Sequence, residues 1–371
     1  MLKFKRRLVI IYAGIKLFLL KLITKKLVTL YRTYFMPLIE LTAKGLFCSV
    51  GNFYIDPWRP VDYAVITHAH SDHARAGHRH YLCHTLTRPL IQHRLGYHHT
   101  IDVLEYNEVI SRHGVSIKFL PAGHIIGSAQ IIVSYRGEIW AVTGDYKTEE
   151  DPLAGQFEPQ RCHALITECT FGLPIYRWQP QHELFSEINN WWSNNASQHT
   201  PSVVFAYSLG KAQRLLQGLD LSIGSVYTHG AVEATNEVLR QHGVPLATTL
   251  HLDSGVPLKS LQKALIIAPP SALSSPWMKK LDNSATAVTS GWMAVRGNRR
   301  RHGVDRGFAL SDHADWQGLA QTVKSSQAEK IYTTHGFTVS FTRWLEEQGY
   351  ASEVLKTHFQ GELDDVEQTE I

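Results

Sequence analysis

Residues His68-Ala69-His70-Ser71-Asp72-His73 place three imidazoles and one carboxylate within six positions, directly after the apolar run 63–66. Neutral imidazole and carboxylate are the ligands that Zn²⁺ and similar borderline cations prefer. On an extended segment His68 and His70 point to the same side, because strand side chains repeat every second residue. Asp72 and His73 are expected on a turn into a helix over 72–76, so they reach a second point in space. One short segment can thus serve two neighbouring cations, and the fold has to end a strand at the metal. A chance cluster in a chain with 21 histidines is the competing account. The position at the end of an apolar strand argues against it.

Two cations need more ligands than this segment carries, and three further strand ends offer them. His124 follows the run 115–120 in Pro121-Ala122-Gly123-His124, Asp145 follows 139–143 in Thr143-Gly144-Asp145, and His335 follows 331–334 in Thr334-His335-Gly336. Each has a glycine beside it, which lets backbone approach a crowded centre. The set divides into His68, His70, His124 and Asp145 for one ion, and Asp72, His73, Asp145 and His335 for the other. Asp145 would bridge, one oxygen to each. Any one strand-end histidine is more often structural; jointly they complete two coordination spheres.

The chain alternates strands and helices, the pattern of an α/β protein. Strand-like runs fall at 53–55, 63–66, 115–120, 129–135, 139–143 and 164–167, with Tyr135-Arg136-Gly137-Glu138 reading as a hairpin turn. After Gly172 the texture changes. A helix over 183–192 carries the apolar stripe Leu184, Phe185, Ile188, Trp191 and Trp192, which reads as core. Strand–helix pairs follow at 203–206 with 211–219, 225–228 with 232–241, and 264–268 with 277–281. This middle region reads as a separate small α/β unit with a parallel sheet. Strand–loop–helix units return at 307–310, 331–334 and 337–348.

Composition bounds the class. At 371 residues, 44% apolar and 19% charged, the chain is an ordinary globular protein with room for one large or two medium domains. Its four cysteines, Cys48, Cys83, Cys162 and Cys169, form no CxxC pair, so a reducing cytoplasm is expected. Residues 1–35 hold nine Lys and Arg and no acid; removing that charge from the net +4 leaves −5 for the rest. The apolar stretches there are shorter than the ~20 residues a membrane span needs, so a membrane partner is not expected. A basic amphipathic helix and a degenerate signal sequence are alternatives to the preferred reading, an extension preceding a true start at Met36.

The ligand set resembles that of the metallo-β-lactamase superfamily. Asp56 matches its first motif, His68 to His73 the second, His124 the third and Asp145 the fourth. Glu168 in Thr167-Glu168-Cys169-Thr170, His313 in Ser311-Asp312-His313-Ala314-Asp315, and His335 are similar to motifs A, B and C of the β-CASP nuclease branch. Histidine at motif C matches the ribonuclease J, cleavage-and-polyadenylation endonuclease and bacterial DNA-ligase-associated exonuclease groups rather than Artemis-type members. The stretches 52–60, Thr289-Ser290-Gly291-Trp292-Met293 and 307–316 are most similar to the ligase-associated exonucleases.

The resemblance implies a fold and a chemistry. The fold is an αββα sandwich (36–172 and 306–358) interrupted by a β-CASP-type cap (173–305), with the basic extension (1–35) and an acidic tail (359–371) outside it. The chemistry is phosphodiester hydrolysis of nucleic acid by a hydroxide activated between two divalent cations, Zn²⁺ ahead of Mn²⁺. His313, oriented by Glu168, either protonates the leaving oxygen or binds the phosphate. Asp72 counts with the catalytic groups as well as the ligands. Asp56 holds the His68–His73 loop from behind, or merely forms a turn before Pro57. DNA is favoured over RNA, and an ATP-dependent DNA ligase and a helicase are the implied partners. A hydrolase of small esters or thioesters shares the ligands but has no use for the cap, Glu168 or His313.

A body of net negative charge must supply a positive path for nucleic acid locally. The strand-to-helix turn with Ser208, Lys211 and Arg214 is one candidate, its free amides and Lys211 holding a phosphate; such turns also occur without a ligand. Arg296, Arg299, Arg300, Arg301 and Arg306, before His313, are the other, with a solvated arginine loop as the alternative.

Overall fold

The computed structural model describes residues 37–295 and 303–358. The extension 1–35, the tail 359–371 and Arg296, Arg299, Arg300 and Arg301 lie outside the described residues. Three sheets organise the chain. The first is a six-stranded sheet in the order β1 (Glu40–Thr42), β2 (Gly45–Cys48), β3 (Phe53–Ile55), β4 (Ala64–Val65), β5 (His80–His84) and β6 (Thr100–Leu104). The second holds β7 (Val109–Arg112), β8 (Val115–Pro121), β9 (Ala129–Tyr135), β10 (Glu138–Val142), β11 (Ala164–Cys169), β18 (Lys330–Gly336) and β19 (Ser352–Val354), neighbouring in that order. β9 and β10 form the expected hairpin, with Arg136 at φ 48° and Gly137 at φ 87° supplying its left-handed turn.

The two sheets face one another across one core. Leu46, Phe53, Ile55, Val65 and Leu82 of the first pack with Ile117, Phe119, Ile131, Val133, Trp140, Val142 and Ile166 of the second. Side chains alternate along each strand, so the residues between point the other way. Ile132, Ala141 and Leu165 meet Leu319, Val323, Phe341 and Leu345, which lie on helices Trp316–Ser326 (α5) and Thr338–Glu347 (α6). On the first sheet, Ala64, Ile66, Tyr81 and Cys83 join the largest core cluster.

That cluster is shared with the middle of the chain. Helices Thr87–Leu95 (α1), Gln181–Ser197 (α2), Lys211–Gln217 (α3) and Gly230–Gln241 (α4) contribute Leu90, Ile91, Leu184, Ile188, Trp192, Leu215, Val232 and Leu239 to it. So does the third sheet, ordered β14 (Leu250–His251), β13 (Val226–Thr228), β15 (Leu265–Ala268), β12 (Ser202–Phe205), β16 (Ala285–Thr289) and β17 (Arg306–Phe308). Every pairing in that sheet is parallel. Its last strand, Arg306–Phe308, adds to β16 and carries the chain back toward residue 313. Two sequence expectations differ from the structure. Residues 72–76 form no helix: His70 O accepts from His73 N and Ala74 N, and the turn ends there. The helix expected over 277–281 is the 3-10 segment Pro276–Leu281. Among the described residues, no helix is long and apolar enough to cross a membrane.

Candidate metal centre

The loop after β4 is tied down before its ligands begin. Asp56, left-handed at φ 42° just past β3, accepts from Thr67 N at 2.8 Å and Thr67 Oγ1 at 2.5 Å. Its Oδ2 also lies 2.8 Å from His73 Nδ1. A carboxylate behind the ring fixes the tautomer, so His73 presents Nε2 to the centre. The same tether explains the missing helix at 72–76, because His73 is pulled back toward Asp56.

His68 Nε2 lies 3.2 Å from His70 Nδ1, which lies 3.1 Å from His124 Nε2. The far nitrogens decide what these atoms are. His70 Nε2 faces the carbonyl of Leu209 at 3.2 Å, and His124 Nδ1 that of Asp312 at 3.0 Å. A carbonyl only accepts, so both far nitrogens carry the proton and the near ones carry lone pairs. Lone pairs converging from separate strands suit a cation at their focus. Burial, then the neighbouring imidazoles, hold His68 and His124 well below the usual histidine range, which keeps them neutral ligands.

The second group gathers around His73. Its Nε2 is 3.5 Å from Asp72 Oδ2 and 3.5 Å from Asp145 Oδ2, and its ring stacks on His335 at 5.1 Å and 7°. Asp145 Oδ2 also lies 3.8 Å from His68 Nε2 and 3.9 Å from His124 Nε2, while Oδ1 faces His335 Nε2 at 3.9 Å. One carboxylate thus stands between the sets, Oδ2 facing members of both and Oδ1 facing His335. Burial alone would lower the His73 pKa, yet Asp72, Asp145 and Asp56 outweigh it and lift His73 well above its ordinary value. So much negative charge around one imidazole is what a divalent cation would neutralise. Asp145 Oδ1 is buried and has no hydrogen-bond partner among the described residues, a costly arrangement unless a ligand meets it. Groups such as His68, His70 and His124, or His73, Asp145 and His335, have the donors to hold a metal ion.

Glycines and a bulge make the crowding possible. A Cβ on Gly123 (φ 72°) would sit 2.5 Å from Lys147 O, and one on Gly144 (φ 57°) 2.7 Å from Thr67 Cβ. β11 pairs Glu168 with Thr334 and then Cys169 with Gly336, so His335 is the extra residue of a bulge, left-handed at φ 56°. Cys169 Sγ donates to His335 O at 3.1 Å and holds the bulge from below. His313 stands beside these sets, its Nδ1 2.8 Å from Glu168 Oε1 and its ring 4.7 Å from that of His124. Glu168 is itself held by Tyr146 N and Thr170 N, each at 3.0 Å.

No family model matches the chain. Its sequence is 30% identical over 319 residues to a protein of Opitutus terrae named "Probable DNA ligase", covering 85% of this chain and 31% of that one. It is 30% identical over 125 residues to cleavage and polyadenylation specificity factor subunit 3-I of Arabidopsis thaliana, covering 32% of this chain and 17% of the relative. With endoribonuclease YSH1 of Candida albicans the identity is 20% over 298 residues, covering 66% and 34%. The chain belongs to the β-CASP branch of the metallo-β-lactamase superfamily. It spans about a third or less of the length of these relatives. Among solved structures, a protein of unknown function from Enterococcus faecalis V583 shares the fold, with a TM-score of 0.55, 12% identity and 80% of each chain covered.

In this β-CASP chain the turn expected to hold phosphate does something else. Lys211 is fully buried, its Nζ 3.3 Å from Asp312 Oδ2. Arg214, also buried, donates from Nε to Asp312 Oδ1 at 3.0 Å and from its terminal nitrogen to the carbonyls of Gly123 and His124 at 3.0 and 2.9 Å. Its other terminal nitrogen pairs with Asp151 Oδ2 at 2.8 Å. Both cations are spent on Asp312, with Arg214 also on Asp151 and on backbone, rather than aimed at solvent. Ser208 is half-buried, its carbonyl accepting from Gln213 at 3.0 Å. Gly210 (φ 93°) packs so closely that a Cβ would lie 2.3 Å from Ile125 Cγ2. The turn is therefore a clamp: Leu209 O orients His70, and Arg214 holds the loop of His124. Sequence reading missed Leu209, because a backbone carbonyl leaves no trace in residue type. Asp312 was in view only as a neighbour of His313. Arg306 lies exposed on β17.

Proposed function

We propose that this chain is a metal-dependent phosphodiesterase acting on nucleic acid, a DNA exonuclease of repair ahead of an RNA-processing nuclease. The observation that carries the reading is Asp145 standing between the two histidine sets, its Oδ2 within 3.5–3.9 Å of His73, His68 and His124 and its Oδ1 3.9 Å from His335. The three sheets are read as the metallo-β-lactamase αββα sandwich, expected over 36–172 with 306–358, and a cap expected over 173–305, whose sheet takes in the strand Arg306–Phe308 as well. His68, His70 and His124 would hold one cation and Asp72, His73 and His335 the other, with Asp145 between them. When bound, two divalent cations lower the pKa of water and neutralise charge developing on a phosphoryl group. Zn²⁺ suits the imidazole-rich set, with Mn²⁺ the second choice.

The remaining work falls to the chain's own groups. Glu168 accepts from His313 Nδ1, and His313 in its doubly protonated form would hand the Nε2 proton to the leaving sugar oxygen, or would hold the phosphate. Asp56 and Leu209 O keep His73 and His70 in their ligand tautomers. The small-ester alternative explains the cations but leaves the Glu168–His313 pair without work. The relative named for DNA ligase supports DNA, and points to an ATP-dependent DNA ligase as partner. A helicase is added by family resemblance. Relatives named endoribonuclease support the RNA reading.

The test is cleavage of matched single-stranded DNA and RNA, labelled at either end, with Zn²⁺ or Mn²⁺ and with Asp145→Ala as the blank. Metal-dependent laddering of DNA from one end supports the exonuclease; preference for RNA moves the chain to RNA processing. No cleavage of either by metal-loaded protein sinks the nuclease reading.

A further inference from the structure

Beside α5 runs an open groove of about 1070 Å³. Its apolar lining is aromatic: Trp178, Trp316, Trp344 and Tyr350 are each partly exposed there. Trp316 meets Trp344 edge-on, with ring centroids 4.8 Å apart at 64°. Among the described residues, none of the candidate metal ligands lines this groove. Its link to the site is Trp178, whose Nε1 donates to His313 O at 2.9 Å.

The charges along the groove are unbalanced. Glu149 Oε2 is met by Lys147 Nζ at 2.5 Å. Both oxygens of Asp315 are taken, by Gly318 N at 2.7 Å and Trp178 N at 3.2 Å. Arg177 and Lys324 are exposed, and among the described residues neither side-chain cation has a hydrogen bond or an ion pair. They stand at the two ends of α5. Trp316 N donates to Tyr176 O at 3.1 Å, which with the Trp178–Asp315 bond pins Arg177 at the helix start, whereas Lys324 lies in the last turn. From Trp316 to Lys324 the helix rises about 12 Å. Gln317 and Gln321, exposed and at helical spacing from Lys324, share its face and line the groove between the cations.

This chemistry selects the occupant. A phosphodiester strand offers acceptors and a charge at every nucleotide, but the two cations here are separated by rings and amides. Side-chain amides both donate and accept, which matches a peptide backbone. An extended peptide advances about 3.3 Å per residue and alternates its side chains, so residues i and i+4 span about 13 Å and share one face with i+2. We propose that the groove docks an extended acidic segment of a partner protein, with carboxylates at i and i+4 on Arg177 and Lys324 and an apolar side chain at i+2 among Trp178, Trp316 and Trp344. Aromatic-lined grooves recognise extended peptides in this way. The proposal goes beyond the nuclease reading and does not depend on it.

The experiment titrates the full chain into fluorescein-labelled Ser-Asp-Ser-Phe-Ser-Asp-Ser, and into the same residues rearranged as Ser-Asp-Asp-Ser-Ser-Ser-Phe, followed by fluorescence anisotropy. The first peptide should bind about tenfold more tightly than the second. Arg177→Glu and Lys324→Glu should each weaken it about tenfold, since like charges then face one another, while Lys324→Arg binds as wild type does. Both positions are exposed, and circular dichroism checks that the variants keep the fold. No binding, equal binding of the two peptides, or unchanged affinity in both charge reversals overturns the proposal. Displacement of the bound peptide by a mixed-sequence single-stranded oligonucleotide also overturns it, and makes the groove a nucleic-acid surface instead. None of these results bears on the nuclease reading, which cleavage alone decides.

Discussion

Arg214 donates to Asp312 Oδ1 at 3.0 Å, and the backbone carbonyl of the same Asp312 receives the Nδ1 proton of His124, also at 3.0 Å. A guanidinium on α3 thereby bears on the tautomer of an imidazole of the candidate metal centre through one intermediate residue. Breaking a buried pair by removing one partner costs about 3–5 kcal/mol, because the other charge is stranded. Arg214→Met should therefore destabilise the chain by that amount in urea unfolding. It should also weaken Zn²⁺ binding about 10- to 100-fold in chelator competition, as loss of a ligand's supporting partner does. Stability lost with metal affinity intact would confine Arg214 to a packing role.

The Asp312 carboxyl is buried, which alone would raise its pKa, but Lys211 and Arg214 outweigh that and hold it well below the usual carboxylate range. A depressed carboxylate contributes stability that is complete above its unfolded pKa of about 3.9 and fades as pH falls toward the folded value. The stability gap between wild type and Asp312→Asn should then be constant from neutral pH to about 5 and shrink below about 4. Unfolding midpoints across that range measure it; a gap independent of pH would mean Asp312 carries no charge in the folded chain.

Glu168 aims His313 without touching either histidine set. Glu168→Gln should lower kcat by about 10²- to 10⁴-fold, the range for general acid–base groups, with little change in KM or in bound metal. Elemental analysis alongside kinetics separates the roles. Metal lost from His313→Ala would make His313 a ligand instead, which its closeness to His124 and Asp145 allows.

If the proposed centre binds metal, chelation should destabilise the whole chain, since seven candidate ligand residues from several strands and loops meet at one place. Returning Zn²⁺ at 1,000 times its Kd should recover about 4 kcal/mol. Thermal unfolding with and without chelator reads this directly, and an unchanged Tm would argue that no cation binds the folded state.

A methyl group at Gly123 tests how tightly the His124 loop is built. Gly123→Ala forces a left-handed residue and a contact at 2.5 Å with Lys147 O, at a strain cost of about 1–3 kcal/mol. Reduced stability together with reduced metal affinity is expected; a silent substitution would show that the loop has slack.

Much of the site was legible in the sequence, and the reason is local. Ligand chemistry resides in residue type, and the ends of apolar runs mark strand ends, so His68, His70, Asp72, His73, His124, Asp145 and His335 stood out. The hairpin at Arg136-Gly137 was legible for the same reason, because backbone preference is carried by the residues themselves. Strands Thr100–Leu104 and Val109–Arg112 were not, since exposed polar residues interrupt their apolar ones, and His80–His84 was not, since histidines bracket its short buried run Tyr81-Leu82-Cys83. Lys211 and Arg214 look alike in sequence whether they face phosphate or a buried carboxylate. Only the tertiary structure decided between those, because the partner, Asp312, lies about a hundred residues along the chain and burial turns an exposed cation into a clamp. It likewise decided that a carbonyl of Leu209 orients His70, a contact made by atoms that every residue possesses and that only the packing of the third sheet's helices against the first sheet brings into place.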